Sequence, residues 1–175
     1  MRTPLAYDIN EQNFDAMVRD HQSMVFSLAY YFLRDGSLAE ELAQEVFLDL
    51  YRNLASIESA AHLLFWLRKV TTRRSIDYAR RRQRHSRVVS LDQVAEPVTA
   101  SKASDPMLSE ALRKLVAALP ERVRAIVILR FQEEMEPSEI AKLLDIPVNT
   151  VKSRLHRSLE FLREKLERTQ REVRS

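Results

Sequence analysis

A chain of 175 residues with a net charge of +3 has room for one medium domain or two small ones. Its single glycine and its lack of cysteine exclude phosphate-cradling loops, dinucleotide fingerprints, disulfides, thiolate metal sites and Cys nucleophiles. No apolar run has the length of a membrane span, and the opening MRTPLAYDIN lacks the apolar core of a signal peptide, so a cytoplasmic chain without membrane insertion is expected.

Helical periodicity runs through the sequence, and no stretch alternates as a strand does. Phe14, Met17, Val18, His21, Val25, Leu28, Ala29 and Phe32 mark a first long helix ending near Asp35-Gly36, with Gly36 as its C-terminal cap. Ser37 then serves as N-cap of a second helix, with Glu40 three residues on as in a capping box. That helix runs to about Leu54 with Leu38, Leu42, Val46, Leu50 and Leu54 inward. Its other side carries Glu41, Glu45 and Asp49 at i, i+4, i+8, with Gln44 and Leu48 alongside. Like charges at that spacing disfavour an isolated helix, so a basic partner surface is the natural explanation. A di-metal carboxylate site would need Glu-x-x-His pairs on other helices, and the chain has none.

After a loop from Ser56 to Ala61, a third helix is expected from His62 to about Arg82, with Leu63, Trp66, Leu67, Val70 and Ile76 as its apolar face. Charge changes sign here. Residues 1–60 hold ten acids against four bases, whereas residues 68–87 hold nine bases and one acid, Asp77. The split implies two partners of opposite sign, with nucleic acid at the basic end. Phe65, Trp66 and Tyr78 are interleaved with Arg68, Lys69, Arg73, Arg74, Arg80 and Arg81, the mixture of stacking surface and cation that holds single-stranded bases. Trp66, between Leu63 and Leu67, fits the core better than a stacking platform.

From Gln83 to Pro106 the composition turns to Ser, Pro and small residues without a helical stripe, and the segment reads as a flexible linker in which Val88, Val89 and Leu91 can pack locally. Helical pattern resumes at Leu108, with Leu112, Leu115, Leu119, Val123, Ile126, Val127, Leu129 and Phe131 as core and Pro120 opening a new helix.

A short helix from Ser138 to Leu144 follows, with Ile140, Ala141 and Leu144 apolar. Pro147 stops it and Ile146 plugs the turn. A longer helix starts near Val148, with Val148, Val151, Leu155, Leu159, Leu162 and Leu166 inward and Asn149, Lys152, Ser153, His156 and Arg157 outward. Those outward residue types bond base edges and phosphates, and a helix fits the major groove. The pair reads as a helix-turn-helix that binds DNA; the alternative is a helical hairpin with a merely solvated outer face.

Two distant segments then converge. LPERVRAIVILRFQEEMEPSEIAKLLDIPVNTVKSRLHRSLEFLREKL (119–166) resembles region 4 of bacterial RNA polymerase sigma factors, while AEELAQEVFLDLYRNL (39–54) and FWLRKVTTRRSIDYARRRQR (65–84) resemble region 2. Two such domains joined by a short linker, over about residues 12–166, resemble the extracytoplasmic-function class.

The resemblance implies an all-α chain of two small helical domains: 1–84 for polymerase docking and the −10 element, a linker over 85–106, and 107–175 with the helix-turn-helix for the −35 element. It implies core RNA polymerase and promoter DNA as partners, and an anti-sigma factor as regulator. Glu41, Gln44, Glu45, Leu48 and Asp49 would dock on the clamp helices of the largest polymerase subunit. Lys69, Arg73, Arg74, Arg80 and Arg81 would follow the −10 strand. Asn149, Thr150, Lys152, Ser153, Arg154, His156 and Arg157 would meet −35 DNA, with Thr150 and Arg154 on phosphates.

The family often has Asn where this chain has Arg73 and Gly-Asp where it has Ser59-Ala60, which leaves the base preference of the −10 pocket open. It often has Gly at the positions of Asp145 and Asn149, where Asp still tolerates the turn and Asn149 adds a side chain for a phosphate or a base. His21, His62 and His85 carry no assigned chemistry, and no cofactor, metal or catalytic site is expected. The rival reading is a helix-turn-helix regulator acting without polymerase, which needs neither the acidic stripe nor the arginine-aromatic helix.

Overall fold

The computed structural model describes residues 8–86 and 106–173. These fall into two compact units, helical throughout with no strand among the described residues. The expected linker lies almost wholly outside them, Val88, Val89 and Leu91 included.

The first unit has three long helices: α1 (Phe14–Leu33), α2 (Gly36–Asn53) and α3 (Ala60–Ser86). All three pack on one another. Met17, Val25, Leu28, Ala29 and Phe32 of α1 meet Ala39, Leu42, Val46, Phe47 and Leu50 of α2 and Leu63, Leu67 and Ile76 of α3 in one core. Each fully buried Leu or Phe contributes about 1.5–3 kcal/mol of transfer free energy.

The α1–α2 corner is built two residues earlier than the sequence suggests. Arg34, not Gly36, takes the left-handed conformation, at φ 55°, and its N–H bonds Tyr30 O at 2.8 Å. Its guanidinium lies over the Tyr30 ring. Asp35 is the N-cap of α2, its Oδ1 accepting from Leu38 N–H at 3.1 Å, and Gly36 is already helical. A carboxylate satisfies an orphan N–H and the positive end of the helix together, which a serine does less well.

α3 likewise begins at Ala60 rather than His62, because Ser59 Oγ accepts from His62 N–H at 3.1 Å and caps it. Its inward face differs from the expectation too. Trp66 and Val70 are only half-buried, while Thr71, Thr72 and Ser75 are completely buried and Arg68 is 6% exposed. The Thr71 hydroxyl returns its hydrogen bond to Leu67 O at 2.7 Å, which lets a small polar side chain occupy a packed seam.

The second unit holds α4 (Pro106–Ala117), α5 (Glu121–Phe131), α6 (Pro137–Leu144) and α7 (Val148–Val173). α7 packs on the other three. Leu119, Val127 and Leu162 form one apolar cluster with Leu115, Val116, Val123 and Leu155 against it, and Ile126, Leu129, Ile140, Leu143 and Val151 are fully enclosed or nearly so. Pro120 stands at the N-cap of α5 as expected. Leu112 and Phe131, expected in the core, are exposed, Phe131 by 53%; Phe131 is the last residue of α5, past the buried run from Ala125 to Leu129.

Two arginines brace this unit. Arg124 donates through Nη2 to Ala117 O and, at 3.1 Å, to Leu119 O, closing the open end of α4. Burial lowers its pKa below the ordinary arginine value, against the raising field of Glu121. Arg130 donates to Met135 O and pairs with Glu136 Oε1, both at 3.3 Å, holding the loop before α6.

Candidate nucleic-acid and partner interfaces

The α6–α7 pair is a helix-turn-helix. At the start of α6, Glu139 Oε2 accepts from Glu136 N–H at 2.8 Å, and Pro137 occupies the first helical position. At its end Asp145 is left-handed, φ 55°, and Ile146 N–H returns to Ala141 O at 3.1 Å. A residue with a short polar side chain enters this conformation at lower cost than most, so the turn closes without glycine. Leu143 rather than Leu144 is the deeply buried leucine of α6.

Along α7, Val151, Leu155, Ser158 and Leu162 face inward, and the Ser158 hydroxyl bonds Leu155 O at 2.9 Å. Val148 and Leu159, expected inward, are exposed. At about 100° per residue, Asn149, Ser153 and His156 fall opposite the buried stripe, with Lys152 and Arg157 on either side of them. All five are exposed, while Thr150 and Arg154 are half-buried on the flank. Lys152 and Arg157 pair with no carboxylate among the described residues, whereas His156 Nε2 lies 3.3 Å from Glu160 Oε1. The outward face is therefore cationic and polar near the helix start, suited to a groove.

On α3 the same rotation puts Lys69, Arg73 and Arg80 on one outward face with Phe65 and Trp66. Arg73 is exposed and Lys69 and Arg80 half-buried; Lys69 Nζ lies 5.7 Å from the centre of the Phe65 ring. Arg81 is exposed further round the helix. Arg68 is buried and leaves the basic face.

Arg74 leaves it as well. Its Nε donates to Asp49 Oδ2 at 3.1 Å, its Nη2 bonds the same oxygen, and its Nη1 bonds Glu45 Oε2. Two groups of residues expected to serve different partners thus meet in one ion-pair cluster.

On α2, Glu41, Gln44, Glu45 and Leu48 are exposed, Leu48 by 56%. Asp49 is half-buried toward α3. Beside this stripe, and not foreseen from the sequence, a cleft of about 850 Å³ lies between α1 and α2, lined by Phe14, Val18, Phe26, Phe47, Leu48 and Tyr51 among others. Phe14 meets the ring of Tyr51 edge-on at 5.2 Å, and Tyr51 remains 49% exposed. An acidic rim beside an exposed apolar cleft is the composition of a protein-docking surface. One cue was present in sequence: Tyr51 falls at the edge of the apolar stripe of α2.

The described residues contain no group of acids and histidines able to hold a metal, and no described helix is long and apolar enough to cross a membrane.

Comparison with known proteins agrees with this geometry. The profile of Sigma-70 region 2 matches residues 17–85, and that of Sigma-70, region 4 matches residues 109–162. The chain is 27% identical over 173 residues to the ECF RNA polymerase sigma factor SigW of Bacillus subtilis, covering 90% of each chain. It is 29% identical over 170 residues to the ECF RNA polymerase sigma-E factor of Escherichia coli, covering 90% of this chain and 88% of that one. Its fold matches the sigma factor RpoE, solved in complex with the anti-sigma factor NepR from Bartonella quintana, with a TM-score of 0.74 at 21% identity over 89% of this chain and 98% of that one. With region 2 and region 4 matched in order and ECF sigma factors aligned along 90% of it, the chain belongs to the extracytoplasmic-function class of the sigma-70 family, factors that direct RNA polymerase in transcription initiation.

Proposed function

We propose that the two units divide initiation between them residue by residue. Core polymerase docks on the outer face of α2, where Glu41 and Glu45 stand beside Gln44 and Leu48, and the latter two line the cleft with Tyr51. The −10 strand runs along α3 past Phe65, Lys69, Arg73 and Arg80, with Arg81 beside the path. α7 enters the major groove of the −35 element, Lys152, Ser153, His156 and Arg157 toward the bases and Thr150 and Arg154 toward phosphates, with Asn149 at the entry. The single observation that carries this reading is the segregation of exposed charge: acidic and apolar on α2, basic and aromatic on α3, basic and polar on α7. A regulator acting without polymerase has no use for the first two faces.

The chain's partners are then core polymerase and promoter DNA, with an anti-sigma factor competing for the same faces, as the complex of its structural neighbour with NepR suggests. The protein works in the cytoplasm, where polymerase and promoters are, and needs no cofactor; the chemistry of RNA synthesis belongs to polymerase. Transcription from genomic fragments by core enzyme with and without the purified protein tests the whole scheme. New start sites preceded by a shared pair of spaced motifs are expected. Unchanged start sites, with tight binding to duplex DNA by the protein alone, would favour the stand-alone regulator.

A further inference from the structure

We infer that Arg74 is a positioning residue of the docking face and takes no part in the promoter path, an assignment that rests on the proposed docking role of α2. Asp49 supports it through one carboxylate oxygen and is itself held through the other. Oδ2 takes Nε and Nη2 of Arg74, while Oδ1 lies 3.6 Å from Arg52 Nη1. Its side chain is only 24% exposed, so Asp49 is compensated inside the domain and has little charge to offer a partner. A guanidinium fork held on one carboxylate by two of its nitrogens has a fixed plane. The remaining nitrogen, Nη1, then reaches Glu45 Oε2.

Glu45 is half exposed and sits one turn from Glu41, where two carboxylates would otherwise repel. Arg74 removes that repulsion and fixes Glu45 in one orientation, so side-chain entropy is lost before polymerase arrives rather than on binding. The anchor is Asp49, the arm Arg74 and the presented group Glu45. Rotation about α3 separates Arg74 by about 100° from Arg73, and it is Lys69, Arg73 and Arg80 that share the outward face.

The test is a double-mutant cycle on the affinity of the full chain for core polymerase, run beside binding of −10 single-stranded DNA by preformed holoenzyme at saturating factor. Arg74→Ala is expected to weaken core binding about three- to tenfold, the range of partly exposed ion pairs acting through a network. Asp49→Ala should do nearly the same, and the double variant should be little worse than either single one. Arg74→Lys, which keeps the charge but loses the fork, should recover part of the loss.

Binding of the −10 strand and its salt dependence should stay at wild-type values, a selectivity that general loss of folding does not produce. Normal core affinity for Arg74→Ala with weaker −10 binding and a salt slope smaller by about one phosphate would overturn the inference. Glu41→Lys separates this from the docking reading itself. If Glu41→Lys weakens core binding and Arg74→Ala does not, the inference alone fails; if neither does, the docking face is misplaced and the inference falls with it.

Discussion

Asp49 on α2 accepts from Arg74 Nε on α3 at 3.1 Å, and this contact joins the acidic stripe of the first unit to its basic helix. Its consequence is a redistribution of charge. The carboxylates are no longer equivalent: Asp49 is consumed, Glu45 is shared, and Glu41 has no ion-pair partner among the described residues. Coulombic recognition of a basic surface should therefore weigh most on Glu41, and apolar recognition on Leu48.

Reversal of that charge gives the first prediction. Glu41→Lys places a cation on an exposed position and should move the melting temperature by no more than about two to four degrees, since exposed substitutions rarely change stability by more than about 0.5 kcal/mol. Affinity for core polymerase should fall about tenfold or more, because a like-charge contact at a buried interface costs several kcal/mol at most and its rim a fraction of that. Glu45→Lys, and Glu41→Lys combined with Asp49→Lys, should weaken binding too, the last with some loss of stability from the broken Arg74 contact. Titration of labelled factor into core enzyme measures all three; undiminished affinity would place docking elsewhere.

Promoter opening supplies the second. Lys69→Ala with Arg73→Ala removes two cations from the outward face of α3 without touching the core. Formation of the open complex should drop by an order of magnitude while core binding changes less than twofold. The deficit in affinity should narrow as salt is raised and widen as it is lowered, since each lost phosphate contact flattens the salt dependence. Permanganate reactivity of −10 thymines reports the opened strand, and normal reactivity in the double variant would remove these residues from the path.

Much of this was legible in the sequence, for reasons that differ by element. The helix-turn-helix could be read because Pro147, Ile146 and the flanking apolar spacing each act locally. The charge split between α2 and α3 could be read because it needs only counting. Arg74 could not: nothing in the run of arginines distinguishes one that bonds Asp49 from one that faces solvent until the rotation of α3 against α2 is known. The buried Thr71, Thr72 and Ser75 escape for a related reason, since hydrophobic periodicity is blind to small hydroxyl side chains packed at a close helix crossing. Val148 and Leu159 were placed inward by the same periodicity, yet α7 buries only the stripe through Val151, Leu155, Ser158 and Leu162. A 26-residue helix outruns the small unit it packs on.

Backbone conformation gives the third prediction. Glu134 and Asp145 both hold left-handed conformations, φ 51° and 55°, in a chain whose one glycine, Gly36, has no positive φ. A non-glycine residue there costs about 1–2 kcal/mol, partly offset by the greater unfolded-state entropy of glycine, about 0.4–1 kcal/mol. Glu134→Gly should stabilise the second unit by about 0.5–1 kcal/mol, raising its midpoint by a few degrees. Asp145→Gly should gain less, because aspartate tolerates this region better than glutamate. Thermal unfolding followed by circular dichroism decides the order, and a destabilised Glu134→Gly would mean that its side chain contributes more than its backbone strain costs.

The fourth prediction concerns sequence readout at the −35 element. The stripe through Val151, Leu155, Ser158 and Leu162 fixes the rotation of α7 against its own unit, leaving Lys152 and Arg157 exposed and Arg154 half-buried on the flank. Neither Lys152 nor Arg157 is engaged by a carboxylate among the described residues, so each can reach guanine acceptors in the groove. A bidentate contact of that kind is worth about 1–3 kcal/mol of discrimination, or roughly one to two orders of magnitude in preference between bases. Under the proposed docking of α7, Arg154 on the flank would hold a phosphate, which fixes register without reading sequence. Arg157→Ala and Lys152→Ala should each relax preference at particular −35 positions, while Arg154→Ala weakens all promoters by a similar factor and lowers the salt slope. Selection from a randomised −35 library separates these outcomes. A motif reshaped by Arg154→Ala but untouched by the other two would mean that α7 meets the groove through its Arg154 flank, with the face around Lys152 turned away from the bases.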